Sequence, residues 1–181
     1  FSLGSASFDP SGSNYMGVIL MSSASVTSIA GSFNGYFLRL GVNSTPDLLE
    51  LWKSTGTTKT KVGDFPSSPD FGTGALSNGL NIKITRNSSG LFELFYSTGF
   101  IFSTTPSASA GTLTDNTYST SSFFGIFTNF GSPSTTRRIY IDNIGLGQPV
   151  YVSGYNDLSV GNVLSYSVTG LSPNTQYYYR L

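Results

Sequence analysis

The sequence predicts an all-β fold, arranged as an antiparallel β-sandwich. Three features of the residue pattern support this fold class. No long stretch carries apolar residues at the spacing of one helical face. Gly, Ser, Thr and Asn interrupt the chain about every eight to twelve residues, the spacing of turns between short strands. The stretches between these turns are rich in Phe, Tyr, Ile, Leu and Thr, which suit a pleated, half-buried surface.

The predicted strands are bounded by turn residues. In chain order they span Tyr15–Ser22, Gly35–Leu40, Asp47–Lys53, Thr58–Gly63, Leu80–Arg86, Gly90–Tyr96, Ser122–Thr128 and Arg138–Leu146. The intervening turns include Asn43-Ser-Thr-Pro46, Ser54-Thr-Gly56 and Asn87-Ser-Ser-Gly90, and in the last of these Asn and Gly accept positive φ at little cost. Two consecutive hairpins from Gly35 to Gly63 therefore predict an antiparallel meander.

Two longer connections separate the predicted strands. They are Asp64–Gly79 and Ser103–Ser121. Loops of this length either carry function or connect the two sheets of a sandwich. Short strands joined in this way favour a sandwich or a jelly roll.

Alternation along two strands predicts which side chains share a face. In Asp47–Lys53, Leu49 and Leu51 lie on one face, and Leu48, Glu50 and Trp52 lie on the other. In a second strand, Phe92 and Leu94 oppose Leu91, Glu93 and Phe95. The only two glutamates of the chain thus lie in strands that are substantially apolar on both faces. Such a strand is covered on both sides, or presents one face as a sugar-binding surface.

The composition excludes several classes of function. The formal net charge is zero and only 10% of the residues are charged, so clustered cations for nucleic-acid binding are absent. The absence of His and Cys removes Ser-His-Asp and thiol catalysis, thiolate or imidazole metal sites, and disulfides. The remaining chemistry is that of carboxylates, Lys, Tyr or oxygen-ligated metals.

The cellular location is predicted only indirectly. No segment approaches the roughly 18 uninterrupted apolar residues of a spanning helix, so membrane insertion is not expected. The first eight residues lack the pattern of a signal peptide, so an export signal is either removed or upstream. The 31 Ser and 20 Thr suit a solvated β surface made neutral by hydroxyl groups. This composition is common in extracellular bacterial proteins, and we expect an extracellular or cell-surface location.

A series of short motifs, in their order along residues 1–147, resembles the concanavalin A-like, laminin-G-like jelly rolls of large secreted bacterial proteins, including those exported by type IX secretion. The motifs are Phe8-Asp-Pro-Ser-Gly-Ser-Asn-Tyr15, Val18-Ile-Leu-Met-Ser22, Gly35-Tyr-Phe-Leu-Arg-Leu-Gly41, Leu49-Glu-Leu-Trp52, Thr114-Asp-Asn-Thr-Tyr118, Phe124-Gly-Ile126 and Ile139-Tyr-Ile-Asp-Asn-Ile144. The superfamily includes carbohydrate-binding modules, adhesion modules and laminarinase-type hydrolases. The resemblance implies one or more strands before Phe8, so we expect the jelly roll in this chain to lack its first strand or strands.

The composition shifts after Gly147, where we place a domain boundary. The ending Val168-Thr-Gly-Leu-Ser-Pro-Asn-Thr-Gln-Tyr-Tyr-Tyr-Arg180 resembles the E–F corner of a fibronectin type III domain, where a Tyr follows a Leu-x-Pro turn. Residues 148–181 are too few for a complete domain of roughly 100 residues. We therefore expect a jelly roll at 1–147, a partial fibronectin III-like segment at 148–181, and a chain cut from a longer surface protein.

Aromatic side chains are the first candidates for ligand binding. Trp52 is the single tryptophan, with Phe95 and Tyr36 as possible neighbours on a sugar-stacking platform. The alternative is that these rings pack in the core between the sheets, as buried aromatics in sandwiches do.

Glu50 and Glu93 are the candidate carboxylates, because glycoside hydrolysis needs two of them about 5 to 10 Å apart. Laminarinase-type enzymes arrange their acids as E-x-D-x-x-E, and Glu50-Leu-Trp-Lys-Ser-Thr lacks the other two. The plainer prediction is that Glu50 pairs across a hairpin with Arg39, which a turn near Ser44 places opposite Leu49 or Glu50. We therefore expect no catalytic residue, and keep both glutamates as candidate sugar contacts.

Calcium is the only cofactor considered. Asp142 lies where laminarinase-like relatives carry an Asp that holds a structural calcium ion, as the resemblance implies. Asp115, Asp64 and Asp70 are further candidate ligands, since calcium takes six to eight oxygen ligands. The alternative for each is an Asx-type turn or a loop hydrogen bond.

Three functions follow from these observations. The first is a non-catalytic carbohydrate-binding or adhesion module, whose partners are glycans or other domains of the same protein. The second is a structural spacer, filament unit or secretion cargo region that contacts secretion or surface machinery. The third is an accessory or degenerate glycoside hydrolase module.

Overall fold

The structure, a computed structural model, describes residues 1–6, 11–40, 46–70, 79–99, 106–131 and 138–147, and in the C-terminal part residues 159, 161–163, 165–171 and 173. The chain divides into two units, Phe1–Ile144 and Gly145–Leu181. No described residue of the second unit belongs to a strand or helix. Most of the fibronectin III-like ending, and residues 41–45 of one predicted turn, lie outside the described residues.

The first unit is all-β. Its strands are β1 (Ser2–Ala6), β2 (Asn14–Ser22), β3 (Gly35–Leu40), β4 (Glu50–Thr55), β5 (Thr58–Asp64), β6 (Leu80–Arg86), β7 (Leu91–Thr98), β8 (Ala108–Thr114), β9 (Phe123–Phe130) and β10 (Arg138–Asp142). They form two antiparallel sheets of five strands each. Sheet I has the order β10-β1-β6-β7-β8, and sheet II has the order β5-β4-β3-β2-β9. No helix occurs among the described residues, hence none there that could span a membrane.

The two sheets share one apolar core. Its fully buried side chains come from both sheets and from the segments that follow them: Leu3, Met16, Val18, Tyr36, Leu38, Leu40, Leu49, Leu51, Phe65, Leu80, Ile82, Phe92, Leu94 and Ala110. Burial of such side chains removes apolar surface from water, which is the main favourable term in folding. The face assignments for Leu49 and Leu51, and for Phe92 and Leu94, are confirmed because all four lie in this core.

The predicted meander is confirmed. β2, β3, β4 and β5 are adjacent in chain order within sheet II. The β3–β4 register pairs Arg39 with Glu50, one of the two pairings expected from the hairpin. The same register places Phe37 opposite Trp52 and Tyr36 opposite Lys53.

Two strands were not predicted from the sequence. β1 lies at the start of the chain and pairs with both β10 and β6. β8 lies within the segment predicted as a loop, Ser103–Ser121, and pairs with β7. Its sequence, ASAGTLT, is rich in small residues of low strand propensity, so its conformation comes from pairing with a neighbouring strand. The last predicted strand is shorter than expected and ends at Asp142 instead of Leu146.

Candidate functional site

The outer face of sheet II, which points away from the core, carries a second apolar cluster. Ile19, Phe33 and Phe37 are buried there. Ala24, Val26, Ile29, Trp52 and Phe127 are partly buried against them. Four of these residues, Ala24, Val26, Ile29 and Phe33, belong to residues 23–34, the covering segment, which connects β2 to β3. The face is thus neither bare nor fully covered.

Two hydrogen bonds, one between backbone groups and one from a serine hydroxyl, close the covering segment at its base. Ser23 N donates to Asn34 O at 2.9 Å, and Ser22 Oγ donates to Ala24 O at 2.6 Å. Gly35 follows at the start of β3 with φ +154, and a Cβ built there would lie 1.9 Å from Met21 O. Only a glycine permits this close approach of the two strands.

The tip of the β4–β5 hairpin holds the C-terminal end of the covering segment. Phe33 N donates to Gly56 O at 3.1 Å, and Gly56 N donates to Asn34 Oδ1 at 2.9 Å. Buried Ser54 also donates its hydroxyl to Phe33 O at 2.7 Å. The segment is therefore fixed at both ends by polar contacts, and its apolar side chains pack beneath it.

A pocket of about 300 Å³ opens between the covering segment and sheet II. It is lined by Tyr15, Ile29, Ala30, Phe37, Arg39, Trp52, Thr57 and Lys59. Pockets for small ligands are typically apolar and aromatic with a few placed polar groups. This pocket has that composition.

The aromatic rings of the pocket are arranged in layers. Trp52 stacks on Phe37 with ring centroids 6.0 Å apart and an interplanar angle of 18°. The Arg39 guanidinium lies 4.4 Å from the Tyr15 ring centroid and 5.6 Å from that of Trp52. Tyr15 and Trp52 are each partly buried, so both retain surface for a ligand.

Glu50 orients Trp52. Its Oε2 accepts a hydrogen bond of 2.8 Å from Trp52 Nε1, and its Oε1 forms an ion pair of 2.6 Å with Lys61. Lys61 also pairs with Asp64 at 2.6 Å. Burial by itself lowers the pKa of Lys61, but its hydrogen bonds to Asp64 and Glu50 outweigh burial and raise the pKa. Glu50 is only 2% exposed, and these contacts occupy both oxygens of its buried carboxylate.

Removing the Glu50 carboxylate is expected to make the Trp52 side chain more mobile. In a Glu50→Ala variant, Trp52 Nε1 and Lys61 lose an acceptor, and we expect the free energy of unfolding to fall by about 1 to 2 kcal/mol. Trp52 is the single tryptophan, so its fluorescence should report a more polar and more mobile environment. A Glu50→Gln variant, which keeps an acceptor for the indole, should change the spectrum less. Identical spectra for both variants and the wild type would contradict this role.

The other predicted aromatic contacts do not join Trp52. Tyr36 lies on the opposite face of sheet II, fully buried, with its ring 4.9 Å from that of Phe92. The platform interpretation of Tyr36 is therefore corrected: strand alternation sends it into the core. Phe95 lies on sheet I, where Lys83 Nζ is 5.6 Å from its ring.

The two glutamates do not face one cleft. Glu93 alternates with Phe92 and Leu94, whose side chains are in the core, so it lies on the outer face of sheet I. Glu50 belongs to sheet II, beside the pocket, in the next strand to Arg39. Its ion pair nevertheless forms with Lys61, across the β4–β5 hairpin.

Asp115 is part of a polar network at the core edge. Its Oδ1 accepts hydrogen bonds from Tyr36 Oη at 2.6 Å and Thr117 N at 2.9 Å, and its Oδ2 pairs with Lys53 Nζ at 2.7 Å. Burial by itself raises the pKa of Asp115, but hydrogen bonds from Lys53, Thr117 and Tyr36 outweigh it and hold the pKa far below its usual range. The calcium assignment of Asp115 stays a prediction, and the partner that the structure shows for this carboxylate is the ammonium group of Lys53.

The remaining aspartates have local partners. Asp142 is exposed, and its Oδ1 accepts a hydrogen bond of 2.7 Å from Asn143 N, the local bond expected of an Asx-type contact. Asp70 Oδ1 accepts from Asp47 N at 3.0 Å, and Asp64 pairs with Lys61. Within the described ranges, no three acidic side chains gather as a metal would require.

Several pocket residues were not singled out from the sequence. They are Tyr15, Ile29, Ala30, Phe37, Thr57 and Lys59. The signal for Phe37 was present: once Arg39 is paired with Glu50, the hairpin register places Phe37, and not Tyr36, opposite Trp52. The return of the covering segment onto sheet II has no local signal, because its contacts depend on tertiary packing.

No protein-family model, curated protein or solved structure matches this chain. The case for a function is therefore built from the residues of the pocket.

Proposed function

We propose that this chain is a non-catalytic carbohydrate-binding or adhesion module of a large secreted or cell-surface bacterial protein, and that the pocket on sheet II is its glycan site. The observation that carries the proposal is an open pocket of about 300 Å³ lined by the partly buried rings of Trp52 and Tyr15. Aromatic faces offer flat apolar area to a sugar ring with little loss of side-chain entropy.

The fold class agrees with this proposal. Two antiparallel sheets of five strands each are the layers that a concanavalin A-like jelly roll would have. The motifs resembling that superfamily, and the fibronectin III-like ending, suggest the setting of a multidomain surface protein exported by type IX secretion. We keep both, and the extracellular location, as parts of the proposal.

A structural spacer or filament unit is the second candidate. One observation favours it: the covering segment already buries part of the outer face of sheet II, including Ile19 and Phe37. A face used for domain packing needs such burial and needs no ligand. The separate faces of Glu50 and Glu93 give no comparable support to a degenerate hydrolase.

The test of the first function is a glycan screen of the wild type and a Trp52→Ala variant. We expect the wild type to bind a defined class of glycans and the variant to bind at least about tenfold more weakly, because the stacking surface is lost. Trp52→Phe should retain part of the affinity, since it keeps a ring. Running the screen with and without calcium tests Asp142 in the same experiment.

The matched control is Phe95→Ala, which removes a partly buried ring from the outer face of sheet I. It should leave glycan affinity unchanged. Thermal unfolding of each variant establishes that it is folded. A folded wild type that binds no glycan would overturn the proposal and leave the structural candidate, and affinity lost in Phe95→Ala alone would move the site to sheet I.

A further inference from the structure

The charged side chains that line the pocket are both cations. They are Arg39 and Lys59. Glu50, which the β3–β4 register places opposite Arg39, forms its ion pair with Lys61 instead. Among the ion pairs of the described residues, none includes Arg39 or Lys59. The pocket therefore presents positive charge without a carboxylate of its own.

Arg39 is held flat against the pocket wall. Its guanidinium lies over the Tyr15 ring, and its Nη2 donates to Gly12 O at 3.3 Å. Its Nε is buried and has no hydrogen-bond partner among the described residues. A guanidinium stacked on aromatic rings keeps its edge for a planar anion, which it binds with two parallel hydrogen bonds. Arg39 thus retains a hydrogen-bond donor that no described residue uses.

Lys59 supplies charge and no free donor. Its Nζ donates to Gly31 O at 2.8 Å, Ser54 Oγ at 2.7 Å and Gly56 O at 2.9 Å. All three acceptors are neutral, and burial lowers the pKa of this ammonium. An anion entering the pocket would compensate this desolvated charge, because attraction between opposite charges is stronger away from bulk water.

We infer that the glycan bound in this pocket is acidic: a sugar residue whose carboxylate or sulfate is held by Arg39, with Lys59 adding its charge from beneath the covering segment. The inference rests on the proposed function, since it names the class of sugar for the same site. The exposed parts of the Trp52 and Tyr15 rings would contact the sugar ring. A neutral glycan would leave two cations without a counter-charge.

The test compares acidic oligosaccharides with their own neutral forms. The panel contains uronate oligosaccharides, each paired with its methyl ester, and sulfated oligosaccharides, each paired with its desulfated form. Titration is followed by the fluorescence of Trp52, the single tryptophan, which lies in the pocket itself. We expect at least one acidic member to bind about ten- to hundredfold more tightly than its neutral form. Its affinity should fall as salt is added.

Three variants test whether Arg39 is the cation that binds the acidic group of the sugar. Arg39→Gln should reduce the affinity for the acidic sugar to that of the neutral form, and Arg39→Lys should give an intermediate affinity because the planar fork is lost. Lys83→Gln removes one positive charge beside Phe95 on sheet I and should change nothing. Equal loss in Lys83→Gln and Arg39→Gln would overturn the inference, since binding would then depend on net charge alone.

The outcomes separate the two proposals. If neutral forms bind as tightly as acidic ones, and the glycan screen shows that binding is lost in Trp52→Ala, the glycan site stands and the acidic specificity is wrong. If the folded wild type binds neither form of any pair, both fail. If sulfated members bind and uronates do not, the anionic group is a sulfate.

Discussion

Replacing Gly35 by alanine is expected to destabilise the protein by about 3 kcal/mol or more. At φ +154 an L-residue is strained, and the new Cβ would lie 1.9 Å from Met21 O and 2.6 Å from Met21 C. These are backbone atoms, so no side-chain rotation relieves the clash. Strands β2 and β3 would have to separate where the covering segment begins and ends. Denaturant unfolding followed by circular dichroism measures the change.

Gly125→Ala is the matched control, because Gly125 lies in the same sheet without positive φ and its Cβ would make only an ordinary contact of 3.7 Å with Ile19. We expect its free energy of unfolding to stay within about 1 kcal/mol of the wild type. If Gly35→Ala unfolds at the same denaturant concentration as Gly125→Ala, the close approach of β2 and β3 is not required. Gly35→Ala should also distort the pocket, because two of its lining residues, Ile29 and Ala30, belong to the covering segment that ends immediately before Gly35.

Removing the Asp115 carboxylate has the second large expected effect. In Asp115→Ala, Lys53 Nζ loses its ion pair of 2.7 Å and the hydroxyl of fully buried Tyr36 loses its acceptor at 2.6 Å. We expect a loss of about 2 to 4 kcal/mol at neutral pH, because a partly buried ammonium loses its counter-charge and a buried hydroxyl loses its shortest hydrogen bond. Equilibrium unfolding of the variant and the wild type gives the difference.

The same pair of proteins gives a pH dependence with a definite sign. The pKa of Asp115 in the folded state is far below its ordinary value, because the hydrogen bonds from Lys53, Thr117 and Tyr36 outweigh the opposing effect of burial. The contribution of Asp115 is therefore full above the unfolded-state pKa of about 3.9, and it is lost as the pH falls towards the folded-state value. The stability difference between wild type and Asp115→Ala should shrink below about pH 4.

An exposed aspartate provides the control for this effect. Asp142→Ala removes a carboxylate whose described contact is a hydrogen bond from the next residue, Asn143, and should change stability by about 0.5 kcal/mol or less. A stability difference between wild type and Asp115→Ala that stays constant down to about pH 2 would contradict a lowered pKa. If Asp115→Ala lowers the free energy of unfolding no more than Asp142→Ala does, the Asp115 contacts do not stabilise the fold.

Much of the fold could be predicted because strand alternation is a local property. Leu49 and Leu51, like Phe92 and Leu94, are recognisable as core residues from period-two spacing alone. The meander of β3, β4 and β5 could be predicted because turn residues separate its strands. The pairing of Arg39 with Glu50 followed from the turn position. The same register places Phe37 opposite Trp52.

The candidate site was only partly predictable. Trp52 and Glu50 were chosen from residue type and spacing, and both lie at or beside the pocket. Tyr36 was placed with them through its aromatic character, although its position in the register sends it to the core. Asp115 was selected as an oxygen ligand, and the lysine that neutralises it is 62 positions away in the chain.

The sequence by itself determined the all-β class, the two faces of β4 and β7 and the antiparallel meander, because each depends on residues a few positions apart. The tertiary structure alone decided that β1 pairs with β6 and β10, that ASAGTLT forms β8, and that the covering segment folds back over Phe37. These arrangements bring together residues far apart in the chain, and burial and hydrogen bonding over the whole domain select them. The same long-range packing gathers Arg39, Lys59 and Trp52 around one pocket.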